Sequence, residues 1–155
     1  MRLPMHSMDA SEQRIFPARM AMLAETVAFV EGFCDREGVA QRDALRLVLI
    51  VEELFTNTVV HGHRGDADDP VAVALTLRGD TIGILYEDAA PAHDPVASLT
   101  TPPAALGATL DERPVGGLGM LLVGQLTSLV RYAYENGRNR LWLEVARAEG
   151  EGGPD

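Results

Sequence analysis

The sequence predicts an α+β protein, a two-layer α/β sandwich with helices on one face of a mostly antiparallel sheet. Three observations lead there. Apolar residues recur at helical spacing over the first third of the chain. The period then switches to two in paired runs, and the links inside each pair are hairpin-short. At 155 residues the chain has the size of one domain. That domain is expected to span residues 12–147, with flexible termini at 1–11 and 148–155.

In chain order, "QRIFPA" reads as a short strand or strap. After Pro17, the residues Met20, Leu23, Val27, Val30 and Cys34 form one helical stripe, which Gly38 closes. A second helix is expected over residues 42–61, apolar on most faces and therefore deeply buried, with Gly62 and Gly65 ending it. "VAVALTL" (71–77) and "TIGILYED" (81–88) alternate as strands around a tight turn. Residues 89–115 hold five prolines and little periodicity, the signature of a lid or of disorder. "GGLGMLLVGQLTS" reads as a glycine-rich opening into a short helix. "LVRYAYE" and "RLWLEVA" then flank Asn136-Gly137, a strong hairpin signal.

Composition narrows the function. There are 13 basic and 23 acidic residues, a net charge of -10, which disfavours nonspecific nucleic-acid binding because that needs cationic side chains to displace counterions. Cys34 is the only cysteine, so neither an intrachain disulfide nor a thiolate cluster is available, as suits a reducing cytosol. No apolar run approaches the ~18 residues of a membrane span, and the N-terminal stretch lacks the apolar region of a signal peptide. A cytoplasmic protein without membrane contact is expected.

Three local patterns could carry chemistry. Glu53, Asn57 and His61 fall at i, i+4 and i+8, one stripe of a helix, whereas Glu52 points about 100° away. Glu53 can take a proton or orient a nucleophile, and the amide oxygen of Asn57 is a hard ligand suited to Mg²⁺. A solvated stripe has the same spacing. Asp88 ends a strand, where a carboxylate can accept a hydrogen bond from the exocyclic amine of a base; a turn-initiating Asp looks alike. Gly116, Gly117 and Gly119 open a helix, where backbone N–H groups favour phosphate, although a hinge would also use glycine. His61 and His63 form H-x-H without the spacing of a zinc site.

The order of these patterns adds what none supplies alone. A helix-borne E-x-x-x-N, a strand-end Asp, a long loop, G-G-x-G opening a helix and a final hairpin together resemble the Bergerat-type (GHKL) ATPases. "VEELFTNTVVHG" and "DERPVGGLGMLLVGQLTSLVRYAYENGRNRLWLEV" resemble in particular their anti-sigma-factor serine/threonine kinases. The likeness covers residues 12–147. It implies the Bergerat ATP-binding fold, with Glu53 as general base, Asn57 as Mg²⁺ ligand and Asp88 as acceptor of the adenine amine. It also implies Gly116, Gly117 and Gly119 at the phosphates and residues 92–115 as an ATP lid. Arg113 would face the terminal phosphate, and Asn139 would stand near the adenine.

The implied activity is ATP- and Mg²⁺-dependent phosphorylation of a STAS-type anti-anti-sigma protein, which frees the kinase to hold a sigma factor; a homodimer is also implied. One departure stands out. The family has D-x-G after the strand, and here Asp88-Ala89-Ala90 places alanine where glycine would permit a positive φ. Two other functions fit such a chain: a non-catalytic nucleotide-binding or partner-sequestering module of the same fold, and the detached ATPase domain of a histidine kinase.

Overall fold

The computed structural model describes residues 9–100 and 117–148. The alternation of small and β-branched residues in the middle of the chain produces β2 (Pro70–Arg78) and β3 (Thr81–Asp88), joined through Gly79, which takes φ 58°. The second hairpin joins β4 (Leu129–Glu135) to β5 (Arg138–Ala146). Its turn residues Asn136 and Gly137 have φ of 53° and 74°, both positive as a two-residue hairpin of this kind requires. With β1 (Asp9–Pro17), the strands form one sheet in the order β1-β2-β3-β5-β4, antiparallel at every pairing.

β1 is longer than the expected strap and begins at Asp9, ahead of the domain start expected at residue 12. A 3₁₀ turn (Met20–Met22) leads into α1 (Leu23–Glu37), which stops where Gly38 adopts the left-handed conformation at φ 68°. α2 (Gln41–Asn57) ends earlier than expected; Thr58–Gly62 continue as a π-turn, with the His63 N–H donating to the Thr58 carbonyl at 2.9 Å. A short helix, α3 (Val96–Thr100), lies within the stretch expected to be an irregular lid, and α4 (Gly117–Leu126) follows the glycines.

One face of the sheet carries the core. Val71, Val73, Leu75 and Leu77 of β2, Ile82 and Ile84 of β3, and Leu141, Leu143 and Val145 of β5 bury their side chains against Phe29, Val30 and Phe33 of α1 and Leu47, Ile50, Val51, Leu54 and Phe55 of α2. The two-layer arrangement and its helices on one face are therefore as the sequence predicts. Phe55 is fully buried, and truncating it to Ala would cost about 3–5 kcal/mol. Cys34 lies in this core; burial, aided by the charge of Asp43, pushes its thiol up to about 11, so it is a packing group and not a nucleophile.

Asp43, 1% exposed, accepts the backbone N–H of Ala148 with both carboxylate oxygens, pinning the end of the last strand to the start of α2. On the opposite face of the sheet, the Trp142 ring sits against Gly83, where an added Cβ would come within 2.4 Å of it. No helix among the described residues is long and apolar enough to cross a membrane.

Candidate nucleotide-binding site

The C-terminal end of α2, the end of β3 and the start of α4 meet at one place. Glu53 and Asn57 stand one turn apart on α2, and α4 packs across that helix. The closest approach is between Glu53 and Gly119: a Cβ on Gly119 would fall 2.2 Å from the Glu53 carboxyl carbon and 2.3–2.4 Å from its oxygens. Only glycine fits there while the carboxylate keeps its place. The structure thus brings together two residues that are far apart in the chain.

Burial pushes the Glu53 carboxyl above the usual glutamate range; the neighbouring charge of Glu52 adds to the shift and His61 opposes it. Among the described residues, no hydrogen bond or ion pair fixes the side chain of Glu53 or of Asn57. The described residues leave their oxygens open to a ligand.

Asp88 is built differently. The residue is 8% exposed. One oxygen accepts the Ala90 N–H at 3.1 Å and the Asn139 amide at 2.9 Å, and the other accepts the Thr58 hydroxyl at 2.8 Å. A carboxylate offers about four acceptor positions, so roughly one is left, on the oxygen facing Thr58. That matches a single further donor, such as an exocyclic amine.

Thr58 also lies 2.6 Å from the Tyr86 hydroxyl, and Tyr86 reaches the Leu54 carbonyl at 3.1 Å. Tyr86 has one hydroxyl proton to give, either to the Leu54 carbonyl or to Thr58; when Thr58 receives it, the Thr58 proton is free for Asp88. Burial holds the Tyr86 phenol well above its ordinary range, so it remains a donor. The π-turn aims Thr58 at Asp88, in keeping with the tendency of such turns to occur at functional sites.

Asn139 sits opposite Asp88 in the β3–β5 register. Besides Asp88, its amide N–H₂ group reaches the carbonyls of Ala90 at 3.0 Å and Pro91 at 3.1 Å. Its oxygen accepts the His93 N–H at 3.0 Å and the Tyr132 hydroxyl at 2.5 Å. This side chain clamps the chain from Ala90 to His93. Ala90 itself does not have a positive φ. The penalty expected for alanine at this position is therefore not incurred.

The sequence reading missed Thr58 and Tyr86. Thr58 adjoins Asn57, but nothing in the sequence shows that the helix changes pitch there. Gly117 opens α4 as expected. Arg113, Gly116 and lid residues 101–115 lie outside the described residues. The described part of the lid is tied down at His93 and folds as α3 against α4, where the carbonyl oxygen of Leu99 would lie 1.8 Å from a Cβ on Gly124.

Residues 16–145 match the histidine kinase-like ATPase domain, and the chain belongs to that family. The chain is 25% identical over 109 residues to the serine-protein kinase RsbW of Listeria monocytogenes, covering 70% of this chain and 69% of that one. It is 23% identical to RsbW of Bacillus cereus over 155 residues, covering 97% and 95%.

Among solved structures, it is similar in fold to a Mycobacterium tuberculosis protein with RsbU and RsbW domains. The TM-score is 0.62 at 16% identity, with 89% of this chain matching 32% of that one. It is also similar to a chain of the SiaB–SiaC complex of Pseudomonas aeruginosa, with a TM-score of 0.51 at 13% identity, covering 90% of this chain and 91% of that one.

Proposed function

We propose that this chain is an ATP-dependent protein serine/threonine kinase that serves as an anti-sigma factor in a cytoplasmic partner-switching system. Its substrate is a STAS-type anti-anti-sigma protein, and phosphorylating that protein leaves the kinase free to hold a sigma factor. The observation that carries the reading is the Glu53 carboxylate, half-buried, one turn from Asn57 and packed on Gly119 at the opening of α4.

The residues present suit ATP and Mg²⁺. Asp88 keeps one acceptor position for the adenine amine. Asn57 offers an amide oxygen, and the α4 opening offers backbone N–H groups and no Cβ at Gly119. Among the described residues, no group of three His, Cys, Asp or Glu side chains could hold a metal ion, so Mg²⁺ would complete its shell from phosphate oxygens and water. When bound, Mg²⁺ supplies charge neutralisation at the phosphates.

Glu53, ionised, accepts the proton of the substrate hydroxyl and aims its oxygen. Its half-buried setting raises its basicity for that task. The first-turn N–H groups of α4, together with Gly116 and Arg113, offset charge that builds on the transferring group.

Ala90 fits without a positive φ, which removes the reason to prefer a nucleotide-free binding module. A homodimer is the assembly we expect. The test is incubation with radiolabelled ATP, Mg²⁺ and the cognate STAS protein. The native chain should transfer phosphate to a Ser or Thr of that protein, and Glu53→Ala should bind both ligands while transferring none. Failure of the native chain to transfer phosphate sinks the kinase reading.

A further inference from the structure

Gly62 has a φ outside the positive range, so no demand of the backbone explains a glycine there. Its surroundings do. A Cβ on Gly62 would fall 2.9 Å from the Ala90 methyl and 3.8 Å from the Asn57 carbonyl oxygen. Ala90 is 3% exposed and cannot slide aside cheaply. Its N–H is held by Asp88 at 3.1 Å and its carbonyl by Asn139 at 3.0 Å. The π-turn that carries Gly62 is itself tied to Asp88 by Thr58 at 2.8 Å. There is room at this junction for one methyl group, and Ala90 supplies it.

We propose that Gly62 and Ala90 are a size-matched positioning pair that sets the spacing between the base end of the site at Asp88 and the Asn57 end of α2. The proposal rests on the nucleotide-site reading above. A second methyl, on residue 62, meets a Cβ anchored in backbone instead of the movable tip of a long side chain. The strain therefore passes into the Asp88–Pro91 segment and the π-turn, and the two ends of the site move apart. The alanine that departs from the family pattern is thus matched by a glycine one contact away.

The test measures ADP–Mg²⁺ binding by calorimetry on the full chain for the native protein, Asp88→Asn, Gly62→Ala and the double variant Gly62→Ala/Ala90→Gly. Circular dichroism and thermal melting report the folded fraction of each. Gly62→Ala should weaken ADP binding by about tenfold or more, as overpacking a fitted contact does. The double variant, which returns the junction to one methyl, should recover to within about threefold of the native affinity.

Native-like binding by Gly62→Ala, or a double variant as weak as the single one, overturns the pairing. Should Gly62→Ala fail to fold, a double variant that folds and binds upholds the pair, and one that does not sinks it. If the native chain binds ADP no better than Asp88→Asn, the nucleotide reading itself fails and the pair falls with it. Native binding that Asp88→Asn loses and Gly62→Ala keeps removes the pair alone.

Discussion

The two ends of the site are held by different forces. At Asp88 the carboxylate is fixed by the Ala90 N–H, the Asn139 amide and the Thr58 hydroxyl, and Asn139 fixes the following loop as well. At Glu53 the carboxylate is placed by packing against Gly119, with no hydrogen bond from another described residue. The difference follows the work each end is proposed to do. A group that reads a base must present one acceptor in one direction, and a satisfied network gives that direction. A group that takes a proton must keep its lone pairs free and its basicity high, and the same network would remove both. On the proposed function, stability resides at the first end and reactivity at the second.

The sharpest way to break this contrast is Glu53→Gln. Phosphoryl transfer should fall by about 100- to 10,000-fold, the range of general-base catalysis, while ADP affinity holds. The melting temperature should stay level or rise near neutral pH. The Glu53 pKa is raised in the fold, so its ionised form carries a stability cost that sets in as pH climbs past the ordinary glutamate range, and glutamine removes it. A marked loss of stability in Glu53→Gln would show that the residue is structural.

Asp88→Ala should do the reverse. It removes the acceptor of three donors and leaves the Ala90 N–H without one in a buried place, and urea denaturation should show a loss of about 1–3 kcal/mol together with loss of ADP binding. Next in size is Gly119→Ala. Its Cβ would displace the movable Glu53 carboxylate, so transfer should drop by up to about a hundredfold with the fold intact. Unchanged transfer would dissociate Glu53 from the α4 opening.

The smallest expected effect is a shift of the pH profile. In the proposed reaction Glu53 works ionised, so transfer should fall as pH drops through its raised pKa. Glu52→Gln removes a like charge, lowers that pKa and should move the acid limb to lower pH. Movement to higher pH would contradict a raising effect of Glu52 on Glu53.

The hairpins and the two main helices were legible in the sequence because period, turn residues and Gly38 all act locally. Other features were not. β1 gives little apolar alternation: on its inward side Glu12 and Arg14 extend past the core, and Glu12 pairs with Arg36 of α1 in place of packing. The end of α2 was misplaced because Val59 and Val60 continue the helical pattern while the backbone shifts to the π-turn.

For the site, helical spacing put Glu53 and Asn57 on one stripe, and only the order of the motifs along the chain set that stripe apart from a solvated face. The pairing of Asp88 with Asn139 depends on the β3–β5 register, a contact between segments separated by the whole lid and α4. The approach of Gly119 to Glu53 and the fit of Gly62 to Ala90 exist only once the layers are packed.

Trp142 is the only tryptophan in the chain. It lies over Gly83 on the face of the sheet opposite the core, with its indole N–H donating to Glu144 at 2.9 Å. Along β5 it alternates with Asn139 and Leu141, which point toward the site and the core. Its emission is therefore a built-in optical gauge of β3–β5 integrity, on the far side of the sheet from the proposed nucleotide. A fluorescence change on adding ADP would report strain carried through the sheet, whereas denaturant titrations can follow the same signal without interference from the ligand.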